Sequence, residues 1–331
     1  MVNDKINLMI SNSEEIDNVN GTFGMSIFKK CNALTLTLKN TTIDVSKVNL
    51  CRDIIKSNTS MFSNFRGNNL LTTAVNLSLE ENPEESLKEV IDIYNKLKDV
   101  FMNSQYLVLA AWVLYKSRNK FNIDGVISDT RKAYDFMKGN HWFLTGADDV
   151  SAAAMIAVTS TNLEKTFSDI EECYTILKNQ GFWAGNKLQG LSHILSLSED
   201  SSEHKCTRVI SLNNALKNNS IPLKSYALPI LGVASMVTDD YEALAKNIKE
   251  TSEFLKTQKR FGSFSLGTTV RNMISASLVC MNYIDALTSE SKDTLINTTT
   301  NAVLTIVIAM EIAAASASAG AAAAAASSSS C

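Results

Sequence analysis

Residues able to do chemistry are few in this chain, and most fall in short turns rich in polar and aromatic side chains. One grouping stands out, His141-Trp-Phe-Leu-Thr-Gly-Ala-Asp148-Asp149. A histidine beside a carboxylate is an acid–base unit or part of a metal site. No HExxH and no clustered His/Asp spacing extends it, so neither a metal nor a cofactor is expected. His193 lies in the apolar stretch Leu188–Leu197 and reads as a satisfied inner residue, whereas His204, in Glu203-His204-Lys205, reads as exposed. Gly262-Ser-Phe-Ser-Leu-Gly267 lacks the preceding strand and trailing Lys-Ser/Thr of a phosphate loop. None of the six cysteines is in CxxC or CxxH spacing, and all but Cys331 read as reduced core or helix-face residues.

The elements that must position these residues are announced by a recurring lysine. Lys98, Lys138, Lys178, Lys217 and Lys256 each close a similar segment, successive numbers differing by 40, 40, 39 and 39, and Lys56 fits one step of 42 earlier. Such a period is the signature of a repeat architecture. Each unit reads as a turn with an aromatic, an apolar helix A, a polar turn, and an amphipathic helix B ending at the lysine. In Pro83–Lys98, Leu87, Val90, Ile91, Tyr94 and Leu97 form one helical stripe. Pro83, Glu84 and Glu85 suit its first turn, and a terminal lysine suits the negative end of a helix dipole. The A segments, such as Tyr106–Tyr115 and Ala152–Val158, are apolar nearly all round and belong to an inner layer. Only three prolines occur. The fold class is therefore all-α: tandem antiparallel helix pairs forming an α/α superhelix, about six pairs plus one helix, led by an open right-handed form. A closed α/α toroid is the alternative, because Glu250–Phe264 resembles the turns of prenyltransferase-type toroids.

The repeat domain is expected over 1–287, with a degenerate N-terminal cap at about 1–60 and clean repeats at about 61–260. A linker at 288–301 and an apolar, Ala/Ser-rich segment at 302–331 follow. Ala302–Ala319 is close to the roughly 20 residues a span needs, but Glu311 interrupts it. A cap over the last repeat is favoured over docking on a membrane or partner helix.

If the units stack in register, the B-to-A turns gather on one end, and with them Arg66, Asn68, Asp148, Asp149, Asn186, Tyr226 and Arg271, alongside His141. Phe62, Phe65, Trp142, Phe143, Phe182, Trp183, Phe261 and Phe264 accompany them. Two readings compete. Asn, Asp and Thr would be N-caps and the aromatics would seal the stack; or the edge is a ligand or partner site, for which Arg66, Asp148, Asp149 and Arg271 are the best candidates, since caps do not require arginine.

Bulk properties narrow the classes. The chain has 331 residues, is 45% hydrophobic and carries a net charge of −3. No Lys/Arg stripe alternates with aromatics, so a nucleic-acid partner is not expected. No basic segment followed by an apolar one opens the chain, which points to the cytoplasm. Phe62-Ser-Asn-Phe-Arg66-Gly-Asn68, His141 to Asp149, Gly190-Leu-Ser-His193-Ile-Leu and the Ala/Ser-rich end resemble an uncharacterised Firmicutes family, domain of unknown function 4003. The resemblance runs from roughly Cys51 to the end. It implies a bacterial, cytoplasmic, all-helical protein and no activity. The expected function is a non-catalytic interaction or ligand-binding module, engaging a protein, a peptide or an unknown small molecule. The alternative is an enzyme or apolar-ligand-binding toroid with a central pocket.

Overall fold

The computed structural model describes residues 2–22, 26–224 and 227–284, with Ile296 and Thr299. In chain order the helices are α1 (Val2–Glu15), α2 (Ser26–Leu38), α3 (Val45–Asn58), α4 (Asn68–Ser78), α5 (Pro83–Lys98), α6 (Tyr106–Ser117) and α7 (Ile123–Asn140). They continue with α8 (Val150–Thr159), α9 (Leu163–Asn179), α10 (Asn186–Leu195), α11 (Ser202–Asn218), α12 (Leu228–Ser235), α13 (Tyr241–Thr257) and α14 (Thr268–Ile284). Among the described residues there is no strand.

Odd-numbered helices are the amphipathic outer ones. Their N-termini are built by short polar side chains that accept from backbone amides three residues on: Asp44 from Lys47, Asn122 from Gly125, Asn162 from Lys165, Ser201 from His204 and Asp240 from Ala243. This satisfies amides that the helix itself leaves unpaired. Even-numbered helices form the inner layer. In α6 every residue from Tyr106 to Trp112 is buried, and α14 is buried from Val270 to Met281. Close approach is enforced between α10 and α12. A Cβ built on Gly232 would lie 2.8 Å from Leu191 Cδ1 and 3.0 Å from Ile194 Cγ2, so any larger residue would push Leu191 or Ile194 aside.

Neighbouring inner helices run parallel and touch, α6 on α8, α8 on α10, α10 on α12 and α12 on α14. The array then returns on itself, for α14 packs against both α1 and α2. Ile6 and Met9 of α1 and Phe28, Cys31 and Leu34 of α2 share one core with Met273, Ile274, Cys280 and Ile284 of α14. At the rim, Arg260 pairs with Asp17, and the Lys30 ammonium sits 4.3 Å over the Phe261 ring. The α/α superhelix is thus wound until its ends meet, the closed arrangement held as the alternative. The expected six pairs plus one helix are α2 to α13 plus α14, and α1 supplies the outer partner that α14 would otherwise lack. Asn12 secures α1: its Nδ2 donates to Thr37 Oγ1 (3.2 Å) and Thr41 O (2.9 Å), and its Oδ1 accepts from the Ile43 amide (2.9 Å).

Cys31, Cys51, Cys173, Cys206 and Cys280 are buried free thiols. The linker, apart from Ile296 and Thr299, and the 302–331 segment lie outside the described residues. Among the described residues, no helix is long and apolar enough to cross a membrane.

Candidate functional site

Because the inner helices lie parallel, the turns leading into them gather on one end of the ring. Hydrogen bonds stitch these turns together. Asn64 Nδ2 donates to Asn103 Oδ1 (2.8 Å), Asn69 Nδ2 to Gln105 O (2.9 Å), and Gln189 Nε2 to Thr145 Oγ1 (3.2 Å). Both structural roles expected for this edge are largely absent from it. The residues preceding α4, α6, α8, α10 and α12 make no side-chain cap, and two of them are glycines at positive φ, Gly67 (56°) and Gly185 (148°). The capping side chains sit at the other end, on the outer helices. Of the turn aromatics, Phe65 and Phe261 are buried and do seal the stack, and Phe182 packs partly against the core. Phe62, Trp142, Phe143, Trp183 and Phe264 instead stand in solvent, Phe62 at 96% and Trp183 at 91% exposure. Met61 and Met102 (89%) join them. These methionines follow the periodic lysine as the aromatics do, so the signal was in the sequence, in residues of a different type.

The two arginines are committed to the protein. Arg66 Nη2 donates to Lys56 O and Thr59 O, both at 2.7 Å, closing the C-terminal turn of α3. Arg271 is buried, and donates to Ser252 Oγ (3.2 Å), Phe261 O (3.2 Å) and Ser263 Oγ (3.4 Å). Burial holds its pKa below the usual guanidinium value. A groove of about 600 Å³ beside Arg66 is lined by Phe62, Asn64, Asn68, Gln105 and Tyr106. Asn186 is exposed at the start of α10. Tyr226 lies outside the described residues.

His141 does not pair with Asp148 or Asp149. Its Nε2 lies 3.0 Å from Glu171 Oε2, and its ring packs 4.4 Å from Tyr174. Nothing in the sequence singled out Glu171, which α9 brings alongside the end of α7. Asp149 is buried in a single 3-10 turn before α8 and accepts from the Gly146 amide at 2.9 Å. Burial first, then the charge of Asp148, raises its pKa to about 7, against the one lowering contribution of that amide. Tyr106 and Tyr134 are raised too, by burial and by the same two aspartates. Asp149 therefore changes protonation near neutral pH inside the wall of the ring. His193 is buried nearby, neither ring nitrogen finding a partner among the described residues. Burial and then His141 hold its pKa at about 3, so it is a neutral inner side chain. Among the described residues no three His, Cys, Asp or Glu side chains gather to hold a metal.

No solved structure matches this chain. It is similar to an "Uncharacterized protein YeaA" of Bacillus subtilis (strain 168), at 25% identity over 190 residues, which is 56% of this chain and 57% of that protein. The chain thus spans just over half the length of that relative. The model of one family, described as "Protein of unknown function (DUF4003)", matches residues 14–313, and the chain belongs to that family.

Proposed function

We propose that this protein is an interaction module whose working surface is the end of the ring where the inner helices begin. One observation carries the reading. The turns α3–α4, α5–α6, α7–α8, α9–α10 and α13–α14 each hold at least one large apolar side chain in solvent. Scattered apolar residues on a surface need no explanation, whereas a set gathered at one place marks a binding site. Rigid inner helices hold the turns, as a scaffold holds binding loops. Catalysis has less support, because the group most disposed to move protons at neutral pH, Asp149, is buried and accepts an amide of its own turn.

The test is oxidative footprinting of the full chain in cells and after purification. Engagement of the rim protects Met102, Trp142 and Trp183 in cells relative to Leu50 and Phe121, which are exposed elsewhere. Equal labelling of rim and control residues in both settings would refute the reading.

A further inference from the structure

Charge is divided between the two ends of the ring. Outer helices begin with acids, Glu84 and Glu85 on α5, Glu164 on α9, Glu203 on α11 and Glu242 on α13. Those from α3 to α13 end with lysines, Lys56, Lys98, Lys138, Lys178, Lys217 and Lys256, all exposed, whereas α1 ends with Glu14 and Glu15. Each choice complements a helix dipole. Because the outer helices run parallel, the local effect adds up: one end is acidic and the other basic, although the net charge is only −3. The basic end is the one that carries the apolar tips.

We infer that this end docks onto the surface of an anionic lipid bilayer, the tips entering the headgroup layer and the lysines lying against lipid phosphates. The inference rests on the reading of this end as the working surface and names its partner. Three observations select a bilayer. Trp142, Trp183 and Met102 stand exposed on three separate turns, a spread that suits a soft planar partner. Tryptophan and phenylalanine settle at the boundary between water and hydrocarbon, and basic residues add attraction to anionic lipid. Lysines at the same end as the tips argue against a protein partner, since protein interfaces are depleted in lysine. A nucleic acid fits less well, because the arginines that would grip phosphate bidentately at this end, Arg66 and Arg260, are bonded to Lys56 O and to Asp17. The acidic end faces away from the membrane and fixes the orientation.

The test is co-sedimentation of the full chain with phosphatidylcholine vesicles, with and without phosphatidylglycerol, in low and high salt. The wild type is expected to bind the anionic vesicles about tenfold or more tightly than the neutral ones, the preference fading in high salt. Trp183 emission should shift to the blue on binding. A variant with Phe62→Ser, Phe143→Ser and Trp183→Ser keeps the 302–331 segment and alters only exposed side chains. It should fold with an unchanged urea midpoint and bind anionic vesicles about tenfold or more weakly. Lys98→Glu with Lys178→Glu should weaken binding at low salt alone. A wild type that stays in the supernatant, or a tip variant that binds undiminished, would overturn the inference. Protection of the rim in cells without vesicle binding would leave the working surface standing and assign it to a protein or nucleic acid.

Discussion

Replacing Asp149 with asparagine isolates a carboxyl whose protonation the fold moves to near neutral pH. Its pKa is raised from 3.8 to about 7, so ionisation in the folded chain is disfavoured by about 4 kcal/mol, at about 1.4 kcal/mol per unit. The direction follows from proton counting. Between about pH 4 and pH 7 the folded chain retains a proton that the unfolded chain has released, so this group's contribution to stability falls as pH rises and levels off above about pH 7. The substituted asparagine has no charge to bury and can still accept from the Gly146 amide, whose bond to Asp149 is 2.9 Å. The assay is urea unfolding of both proteins from pH 4 to pH 8, read as the difference in free energy so that other groups cancel. The variant should gain on the wild type by up to about 4 kcal/mol across that window and hold the gain above it. A difference that stays flat with pH would refute the buried, proton-holding carboxyl.

The remaining expectations concern packing and the inner layer. His193→Leu should remove a loss of wild-type stability of about 1.4 kcal/mol per unit as pH falls below about 6.5, because a group held at a pKa of about 3 leaves the proton to the unfolded chain; unfolding at two acid pH values checks this. Arg271→Met should cost about 2–4 kcal/mol in urea unfolding, since it deletes bonds to Ser252, Phe261 and Ser263 that tie α13 and its turn to α14. Gly232→Ala should lower stability by about 1–3 kcal/mol despite alanine's better helix propensity, because its Cβ would meet Leu191 at 2.8 Å; a more stable variant would mean that α10 and α12 do not approach so closely.

Much of the scaffold was legible in the sequence, for reasons local to the chain. The lysine period, the stripe of α5 and the all-round apolarity of α6 each follow from a helix's own geometry. α1 is not legible as a helix, because Ile6 and Met9 bury against α2 and α14, and α14 lies more than 250 residues away in sequence. Closure depends on those contacts, so periodicity alone left both forms open. The sequence places the candidate residues in the B-to-A turns, but the roles of those residues are not legible in it. Asn68 and Asn186 look like caps in sequence, yet each is the first residue of its helix, and the capping position before it is a glycine, Gly67 or Gly185, with no side chain to accept. Arg66 and Arg271 look like ligand residues until their carbonyl and hydroxyl partners are known. Whether an aromatic seals or protrudes, as Phe65 and Phe62 divide, depends on tertiary neighbours such as Tyr94, whose ring lies 5.1 Å from Phe65.

Ring closure is what brings the turns of α1–α2 and α13–α14 to the same end, and it can be measured directly. Asp17→Cys and Arg260→Cys, in a Cys331→Ser background whose other cysteines are buried, place two thiols where an ion pair now joins residues 243 apart in sequence. A short bismaleimide should link them within one monomer in high yield. An Asp17→Cys, Asp124→Cys pair, at opposite ends of the ring, should not react. No intramolecular link above that control would mean an open superhelix, and the single basic, apolar rim would no longer be assembled by the fold.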